Sequence, residues 1–372
     1  MNGTPSVDEF YNKRIILHVG LPKAATAFMR RSIYPRLDSA KVFHSQDFFR
    51  DEIRIITEGY FKHVEAEDFR AAFKKKADGL SQESLLLCEF GLTGNPAVPG
   101  TDYRSFRERV DYVHQAFPEA SIIIILRNQI DWMTSIYRNS IEVGYDISFD
   151  EFLNFHDGAF HEKTHDEYTN LDALSFDFSQ ICNYYVKLFG RENVHVFFQE
   201  DLRADPEGFI GEIRQLVGCD FEHEIKMEKV NRGLSALALA ITRFKNRLSG
   251  GRPYGYENSL LAKMHGFFLL GPARRLEKYD IKNRPFKSVI RNIKYRHIPA
   301  VFLRRVLLNI FNIMGWKSFI THIFDKLIYI DWDFMGEETR KALKDHYAKV
   351  NEGLVPYFRN DETKRHYLYE DR

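Results

Sequence analysis

A short apolar strand that turns directly into a helix dominates residues 14–35. The run Ile15–Val19 is rich in β-branched residues and ends at a Gly-Leu-Pro turn, which is typical of a buried strand and its stop. Beyond the turn, apolar residues recur every four positions, so the pattern predicts a helix that begins near Ala24. Pro35 should end or bend this helix near Tyr34, because proline has no backbone N–H to donate. The stretch therefore predicts a strand, a tight loop and a helix in succession.

Lys23 lies in this loop, at the predicted N-terminus of the helix. Unpaired backbone N–H groups and the positive end of the helix dipole attract anions there, and the Lys23 ammonium and Thr26 hydroxyl can add donors. The loop is not a Walker A motif, because Pro22 precedes the lysine and Ala24 follows it, where that motif has glycine and Ser or Thr. The hydroxyl that usually binds magnesium is missing, which argues against ATP. We predict a phosphate-binding loop; the alternative is an ordinary turn with a solvated lysine.

Further buried strands follow along the chain. Ser84–Cys88 is apolar, and Ser121–Leu126 contains four consecutive isoleucines, the composition of a strand that is covered on both faces in a parallel sheet. Asn193–Phe198 is a further predicted strand. Amphipathic helices are predicted between the strands, among them 102–116, one that starts after the capping residue Asn128, and one from Asp172 with Leu174 on its apolar face. Residues 142–170 are predicted to be a loop. This alternation predicts an α/β fold with a mostly parallel central sheet flanked by helices.

Two charged residues directly follow two of the predicted strands. Glu89 comes after the strand that ends at Cys88, and Arg127 closes the strand with the four isoleucines. The carboxyl ends of parallel strands share one sheet edge, so both residues should lie on the same edge as Lys23. Ser135 follows Arg127 by eight residues, and its hydroxyl on the adjacent helix can reach the same phosphate as the guanidinium. The alternative for Glu89 is an ordinary surface carboxylate.

Composition limits the class of protein. The chain has 372 residues, of which 44% are hydrophobic and 15% aromatic, so it can bury a sizeable core in one large or two smaller domains. Its three cysteines are an odd number at wide spacing, which predicts neither a disulfide framework nor a cysteine metal site. An apolar leader segment and a run of 18 apolar residues are both missing from the sequence, so we predict a protein of the cytosol.

The charge is unevenly distributed. The whole chain has a net charge of +1, but residues 243–305 contain 16 Lys and Arg against three acidic residues. This basic region predicts an anionic partner, either a membrane surface contacted from the periphery or an acidic glycan. The alternative is a helical subdomain with solvated basic faces. Nucleic acid is not predicted, because no motif for binding it accompanies the charge. We predict a nucleotide-binding core at 1–240, a basic helical insertion or subdomain at 241–330, and a C-terminal helix at 331–372 that returns to the core.

His161, Glu162 and His165 match the H-E-x-x-H pattern of zinc hydrolases, in which two histidines one helical turn apart bind the metal and the glutamate is the base. The flanking residues lack the apolar face that would bury such a helix, and the sequence shows no third ligand. With 14 histidines in the chain, a chance match is the favoured interpretation. A zinc hydrolase is a minor alternative, and no metal is predicted.

Taken together, these residues resemble the sulfotransferases that use 3'-phosphoadenosine 5'-phosphosulfate as donor, and more the carbohydrate-directed and bacterial branches than the small-phenol enzymes. Residues 21–26 are similar to the family's phosphosulfate loop P-K-x-G-T-T, with Lys23 and Thr26 in register. Arg127 and Ser135 have the eight-residue separation of the family's 3'-phosphate motif. The other similar segments are Val196–Leu202, which ends in E-D-L, then Asn231–Ser235, and Tyr347–Leu354 with Asn351.

Two positions of the loop depart from the family pattern. Ala25 stands where the family usually has glycine, and Ala27 stands in place of its second threonine. The loop therefore lacks one hydroxyl and some backbone freedom. The glycine-rich basic lid of the small-phenol enzymes is also not found near the C-terminus, so another basic residue would have to complete the 3'-phosphate site.

The resemblance implies a P-loop-type three-layer α/β fold and transfer of a sulfuryl group to a hydroxyl or amine of a carbohydrate or lipid-linked glycan. Lys23 would be the catalytic cation on the leaving phosphate, and Glu89 the base that takes the acceptor proton, with His18 and His44 in reserve. The residues implied in donor binding are Lys23, Ala24, Ala25, Thr26 and Ala27 on the 5' side, and Arg127 and Ser135 at the 3'-phosphate. No metal is required. A P-loop kinase that uses ATP is the other alternative.

Overall fold

The computed structural model describes residues 11–45, 47–57, 60–94, 106–161, 171–221, 233–249, 320 and 325–370. Its strands are β1 Arg14–His18, β2 Val42–Phe43, β3 Ser84–Cys88, β4 Ser121–Leu126, β5 Phe155–His156, β6 Ala159–Phe160 and β7 Val194–Phe198. Five of them form a parallel sheet in the order β2-β3-β1-β4-β7. The other two, β5 and β6, pair as a separate antiparallel hairpin. The predicted α/β fold with a parallel central sheet is confirmed.

The central strands are covered on both faces. Every residue of β1 and β4 is buried, and β3 is buried after its first residue. In register, Ile16 of β1 lies between Leu86 of β3 and Ser121 of β4. Continuous apolar runs such as the four isoleucines of β4 are what a parallel sheet with helices on both sides requires, because neither face of the strand meets water.

Helices occupy most of the remaining described chain. The α-helices are α1 Thr26–Phe28, α2 Arg50–Thr57, α3 Ala66–Ala77, α4 Phe106–Ala116, α5 Gln129–Glu142, α6 Phe149–Leu153, α7 Phe178–Phe189, α8 Gln199–Ala204, α9 Pro206–Val217, α10 Ala236–Ser249, α11 Asp325–Leu327, α12 Glu337–Val350 and α13 Asp361–Leu368. A π-helix spans Met29–Ile33, and 3₁₀ helices span Tyr34–Arg36, Tyr60–Lys62, Phe90–Leu92, Arg191–Asn193 and Asn351–Tyr357.

The chain after the first loop forms one helical run in three forms. α1 continues as the π-helix Met29–Ile33 and tightens into the 3₁₀ turn Tyr34–Arg36, which contains Pro35. The change of helix type at Tyr34 confirms the predicted effect of the proline. Two residues of the predicted apolar face, Met29 and Ile33, are fully buried in one cluster with alternate strand residues and with α9.

The opposite face of the sheet is covered by other helices. α7 packs on β4 and β7, and α4 packs on α7. Neither helix contributes to the cluster that holds α9 and the first helical run. Since successive strand residues point to opposite faces, the two helical layers enclose the sheet between them, as in a three-layer fold.

The N-terminal capping residues confirm the predicted start of one helix and correct that of another. The predicted cap residue Asn128 accepts from the N–H groups of Ile130 at 3.1 Å and Asp131 at 3.5 Å. The predicted start of α7 at Asp172 is wrong, because the Asp177 side chain caps the helix and the chain before it is irregular. Leu174, predicted to face inward, is 38% exposed.

The predicted loop at 142–170 contains structure of its own. The short helix α6 and the β5-β6 hairpin lie within it, and both use runs of only two to five residues. Elements this short show too little periodicity to be predicted from sequence. Their packing is aromatic, with the rings of Phe155 and Phe160 4.7 Å apart across the hairpin.

The chain divides into two compact units. The first comprises described residues within Met1–Thr134, Leu153–Asn231 and Glu337–Arg372, and the second those within Ser135–Phe152 and Arg232–Gly336. The first unit contains the whole sheet. In the second, the Tyr137 ring packs on Phe149 at 5.0 Å and on Phe334 at 5.2 Å. The domain boundaries at 240 and 330 stay a prediction.

Several predictions fall partly outside the described residues. Of the basic region 243–305, residues 250–305 lie outside them, so its membrane or glycan partner stays a prediction. All three cysteines are buried and free. Within the described chain, every helix is too short or too polar to cross a membrane.

Candidate functional site

The sheet order creates one position where a ligand crevice is expected. From β1 the chain continues to β2 and β3 on one side of the sheet, and from β4 it continues to β7 on the other side. Adjacent strands whose connections diverge leave a crevice beyond their carboxyl ends, and here those strands are β1 and β4. The loop that contains Lys23 leaves β1 at this edge, and Arg127 follows β4.

The loop has an unusual backbone. Lys23 has a φ of 64° and Ala25 a φ of 58°, which is the left-handed region that residues with a Cβ seldom adopt. Lys23 is exposed, whereas Ala24 and Thr26 are buried and Ala27 is half-buried. The loop thus presents its lysine to solvent and packs its neighbours inward.

Three successive carbonyls of the loop accept hydrogen bonds from side chains. The pairs are Thr26 Oγ1 to the Leu21 carbonyl at 3.2 Å, Trp132 Nε1 to the Pro22 carbonyl at 2.7 Å, and Arg127 Nη1 to the Lys23 carbonyl at 3.4 Å. In a trans peptide the N–H points opposite to the carbonyl. The N–H groups of Lys23 and Ala24 are therefore directed away from Trp132 and Arg127.

Ala25 should tolerate replacement by glycine better than Ala27 does. We expect Ala25→Gly to raise the free energy of unfolding by up to about 1 kcal/mol, because relief of the left-handed alanine outweighs the added freedom of the unfolded chain. Ala27→Gly, the same change inside α1, should lower it by about 0.5–1 kcal/mol. Urea unfolding of the two variants measures both values. Equal destabilisation by the two glycines would contradict the expected relief at Ala25.

Arg127 is half-buried at the end of β4. Burial lowers the pKa of its guanidinium, and the nearby Asp131 carboxylate opposes that shift. Its bond to the Lys23 carbonyl joins the ends of β4 and β1 directly. Ser135 is half-buried on α5 and belongs to the second compact unit, whereas Arg127 belongs to the first. Their joint contact with one phosphate stays a prediction.

Glu89 lies at the end of β3, the other neighbour of β1. Its N–H donates to the His18 carbonyl at 3.0 Å, which places it beside the last residue of β1. The side chain is half-buried, and Oε1 accepts from the Gly91 N–H at 3.3 Å. Oε2 lies 3.9 Å from Nη1 of Arg30, on the first helical run. Arg30 was not among the predicted site residues. Its position seven residues after Lys23 is the feature of the sequence that could have indicated it.

His18 belongs to the core. It is fully buried, and its Nδ1 lies 2.9 Å from the Tyr34 hydroxyl and 3.2 Å from Sγ of Cys88. Burial lowers the pKa of its imidazole to about 3, so the ring is neutral at physiological pH. Burial, with the Arg30 charge second, lowers the pKa of His44 to about 4. The structure thus places His18 under the loop as a packed side chain, away from solvent.

The buried histidine predicts a loss of stability in acid. The unfolded chain takes up a proton on His18 near its ordinary pKa of 6.5, whereas the folded chain does so only near 3, so stability falls as pH decreases between these values. We expect this residue to contribute a slope of about 1.4 kcal/mol per pH unit between pH 6 and 4. We expect His18→Asn, which keeps an acceptor for the Tyr34 hydroxyl, to reduce the pH dependence of the free energy of unfolding by that amount. Urea unfolding at several pH values between about 4 and 6 measures it.

The control for this pH dependence is His63→Asn, since His63 is exposed. Its slope should equal that of the unaltered chain. An unchanged slope in His18→Asn would contradict the assignment of the lost proton to His18.

Two sets of residues contain side chains of the kinds that bind metal ions. His161 follows β6, and its ring stacks on His156 at 3.6 Å, while Glu162 and His165 lie outside the described residues. Among described residues, the ligand atoms of Asp131, Glu200 and His366 lie within 4.8 Å of one another.

The second of these groups has bonding partners of its own. Glu200 accepts from the Asn128 N–H and the Tyr367 hydroxyl, both at 3.1 Å. Burial raises the pKa of its carboxyl group. His366 Nε2 lies 3.9 Å from Asp131 Oδ2. These contacts fasten α13 beside the start of α5.

The segment that contains Asn351 also contacts this edge. Asn351 is fully buried and exchanges amide hydrogen bonds with Gln129, the first residue of α5, at 2.6 and 3.1 Å. Its Nδ2 also donates to the Tyr367 carbonyl at 2.9 Å. The chain end therefore packs against the residues that follow Arg127, which no local sequence pattern indicates.

Comparison with known proteins supports the predicted family. Residues 110–244 match the family model described as the sulfotransferase domain. The crystal structure of a sulfotransferase from Alicyclobacillus acidocaldarius is similar at 19% identity and a TM-score of 0.39, covering 62% of this chain and 90% of that one. A likeness of that size carries no functional argument, and the fold assignment rests on the strand order. No curated protein matches the chain.

Proposed function

We propose that this chain, whose residues 110–244 match the sulfotransferase-domain model, is a sulfotransferase that moves a sulfuryl group from 3'-phosphoadenosine 5'-phosphosulfate to a carbohydrate or lipid-linked glycan. The accepting group is a hydroxyl or an amine. The observation that carries the proposal is the 3.4 Å contact of Arg127 with the Lys23 carbonyl. This contact joins the ends of β1 and β4. In the proposal these two strand ends bind the two phosphate groups of the donor in one crevice.

The 5' side of the donor is assigned to the loop. The N–H groups of Lys23 and Ala24 point away from Trp132 and Arg127, and in the proposal they donate to the 5'-phosphate. In the proposal Ala25, Thr26 and Ala27 complete this binding segment. The Thr26 hydroxyl donates to the Leu21 carbonyl in this structure, and its contact with a phosphate is an expectation from the family resemblance.

The 3'-phosphate is assigned to Arg127 and Ser135. A guanidinium has five N–H donors, and only Nη1 of Arg127 is engaged by the Lys23 carbonyl among the contacts described above. A charged guanidinium at the strand end suits a phosphate, with which it forms paired hydrogen bonds. This second phosphate distinguishes the proposed donor from ATP.

The chemistry assigned to the chain is an in-line displacement. The acceptor oxygen forms a bond to sulfur while the bond between sulfur and the bridging phosphate oxygen breaks, which leaves negative charge on the 5'-phosphate. The Lys23 ammonium stabilises that charge, and Glu89 takes the proton of the acceptor hydroxyl. The products are adenosine 3',5'-bisphosphate and a sulfate ester, or a sulfamate where the acceptor is an amine.

A thermal-shift comparison tests the donor assignment. Adenosine 3',5'-bisphosphate should raise the melting midpoint, because a ligand that binds only the folded state at a hundredfold excess over its Kd stabilises it by about 2.7 kcal/mol. ATP with magnesium should not. The reverse result would overturn the proposal in favour of a kinase, and zinc bound at one ion per chain and lost in His161→Ala would favour the hydrolase.

The acceptor assignment needs a separate measurement. Transfer of labelled sulfate from the donor to a panel of glycans, lipid-linked sugars and phenols should occur with the glycans. Transfer to phenols alone would contradict the proposed acceptor class.

A further inference from the structure

Trp132 contacts the loop of Lys23 from another part of the chain. It is the fourth residue of α5 and is fully buried. Its indole Nε1–H donates to the Pro22 carbonyl at 2.7 Å, and its ring packs on Phe176 at 4.7 Å and on Phe178 at 6.3 Å. An indole has one donor and no acceptor, so this single hydrogen bond satisfies its polar group. The indole is thus held by two aromatic rings and hydrogen-bonded to the loop.

The carbonyl that Trp132 binds belongs to the peptide between Pro22 and Lys23. The pyrrolidine ring already fixes φ of Pro22, so the orientation of this peptide depends on rotation about ψ of Pro22 and φ of Lys23. A hydrogen bond to the carbonyl oxygen opposes that rotation. Since a peptide bond before lysine is planar and trans, the contact that fixes the carbonyl also fixes the direction of the Lys23 N–H.

The backbone of the loop needs such support. Lys23 and Ala25 both have a left-handed conformation, with φ of 64° and 58°, which a Cβ disfavours. Residues persist in this region where surrounding contacts hold them. Thr26 provides one contact from the start of α1, and Arg127 provides another with one of its several donors. Trp132 differs from both because its only donor is used on the loop.

We infer that Trp132 is a positioning residue for the proposed donor: it holds the Pro22–Lys23 peptide in the orientation in which the Lys23 N–H donates to the 5'-phosphate. Trp132 acts through the loop and makes no contact with the donor itself. The inference rests on the proposed function and deepens it, because it assigns affinity for the 5'-phosphate to a side chain 110 positions after Pro22.

A role of Trp132 in core packing alone leads to a different expectation. Loss of packing lowers the stability of the folded chain as a whole, so it should affect every ligand alike. Loss of the indole N–H releases one peptide of the loop, so it should affect only ligands that carry a 5'-phosphate. Nucleotides with and without this phosphate therefore separate the two roles.

The first variant keeps the shape of the side chain. Benzothienylalanine, introduced at position 132 of the full chain by codon suppression, has the two fused rings of tryptophan and a sulfur atom in place of the N–H. Calorimetric titration should show about tenfold weaker binding of adenosine 3',5'-bisphosphate and of adenosine 5'-monophosphate, since a hydrogen bond to a charged group is at stake. Adenosine 3'-monophosphate should keep its affinity within about twofold. Trp132→Phe, which also removes the N–H, should rank the three nucleotides in the same way.

Trp332 offers the matched control. It is 45% exposed, and the same benzothienylalanine replacement there should leave all three affinities unchanged. Arg127→Ala provides a second comparison with the opposite expectation, because Arg127 is assigned to the other phosphate. In that variant adenosine 3'-monophosphate should lose more affinity than adenosine 5'-monophosphate.

The results that overturn the inference differ from those that overturn the function. Equal losses for the three nucleotides, or no loss for any of them, would leave Trp132 as a core residue without influence on the 5'-phosphate. Equal losses in the variants at positions 132 and 332 would remove the assignment to this indole. Failure of the unaltered chain to bind any of the three nucleotides would count against the proposed donor, and so against the function on which the inference rests.

Discussion

Replacing Lys23 by alanine lowers kcat by about 10²–10³-fold, the usual cost of removing one group that stabilises transition-state charge. Affinity for the donor 3'-phosphoadenosine 5'-phosphosulfate should change much less, because the charge that Lys23 stabilises grows on the leaving oxygen only during the reaction. The backbone cost is unchanged, since alanine and lysine both carry a Cβ and meet the same left-handed φ of 64°. Initial rates at saturating substrates and calorimetric titration of the donor without acceptor measure the two effects.

The control for this prediction is Lys41→Ala. Lys41 is an exposed lysine next to β2, with an ion pair to Asp38 at 3.9 Å. Its loss should leave kcat unchanged. If Lys23→Ala keeps its kcat within a few fold, or loses donor affinity as strongly as kcat, Lys23 is not the catalytic cation.

Replacing Arg127 by alanine weakens binding of adenosine 3',5'-bisphosphate by about 1.5–3 kcal/mol, the range for a hydrogen bond to a charged group. Part of the loss comes from the loop, because the Lys23 carbonyl loses its donor at the same time. Adenosine 5'-monophosphate separates the two causes, since it lacks the 3'-phosphate. Its affinity should fall only by the part that comes from the loop.

The outcome that would contradict this assignment is specific. Equal affinity of Arg127→Ala and the unaltered chain for the bisphosphate would remove Arg127 from the 3'-phosphate site. Equal losses for the bisphosphate and the monophosphate would leave Arg127 as a support of the loop only. Arg127→Lys should fall between the alanine variant and the unaltered chain, because lysine keeps the charge and loses the paired geometry.

The sheet and one edge of the site are predictable from local sequence. The apolar runs locate β1, β3 and β4 to within a residue, because strands buried on both faces must be apolar throughout. Parallel strands with helical connections then place Lys23, Glu89 and Arg127 on one edge. These assignments need only the hydrophobic periodicity of the sequence and the lengths of its apolar runs.

The contacts that shape the site do not follow from local sequence. Arg30 lies 59 positions before Glu89, and Trp132 lies 110 positions after Pro22, so each pair meets only once the sheet has formed. The same holds for Gln129 and Asn351, which are 222 positions apart. Residue periodicity describes which face of an element is buried, and it contains no information on which distant side chain that face meets.

The bracing of the first loop from outside has a consequence for how related chains can be recognised. Three of its carbonyls accept hydrogen bonds from a hydroxyl, an indole and a guanidinium, and the last two come more than a hundred positions later. The indole and the guanidinium belong to Trp132 and Arg127, which lie within the residues 110–244 that match the sulfotransferase-domain model, whereas the loop lies outside them. A search that scores Thr26, Arg127 and Trp132 together should retrieve chains whose loops have lost the family's glycine.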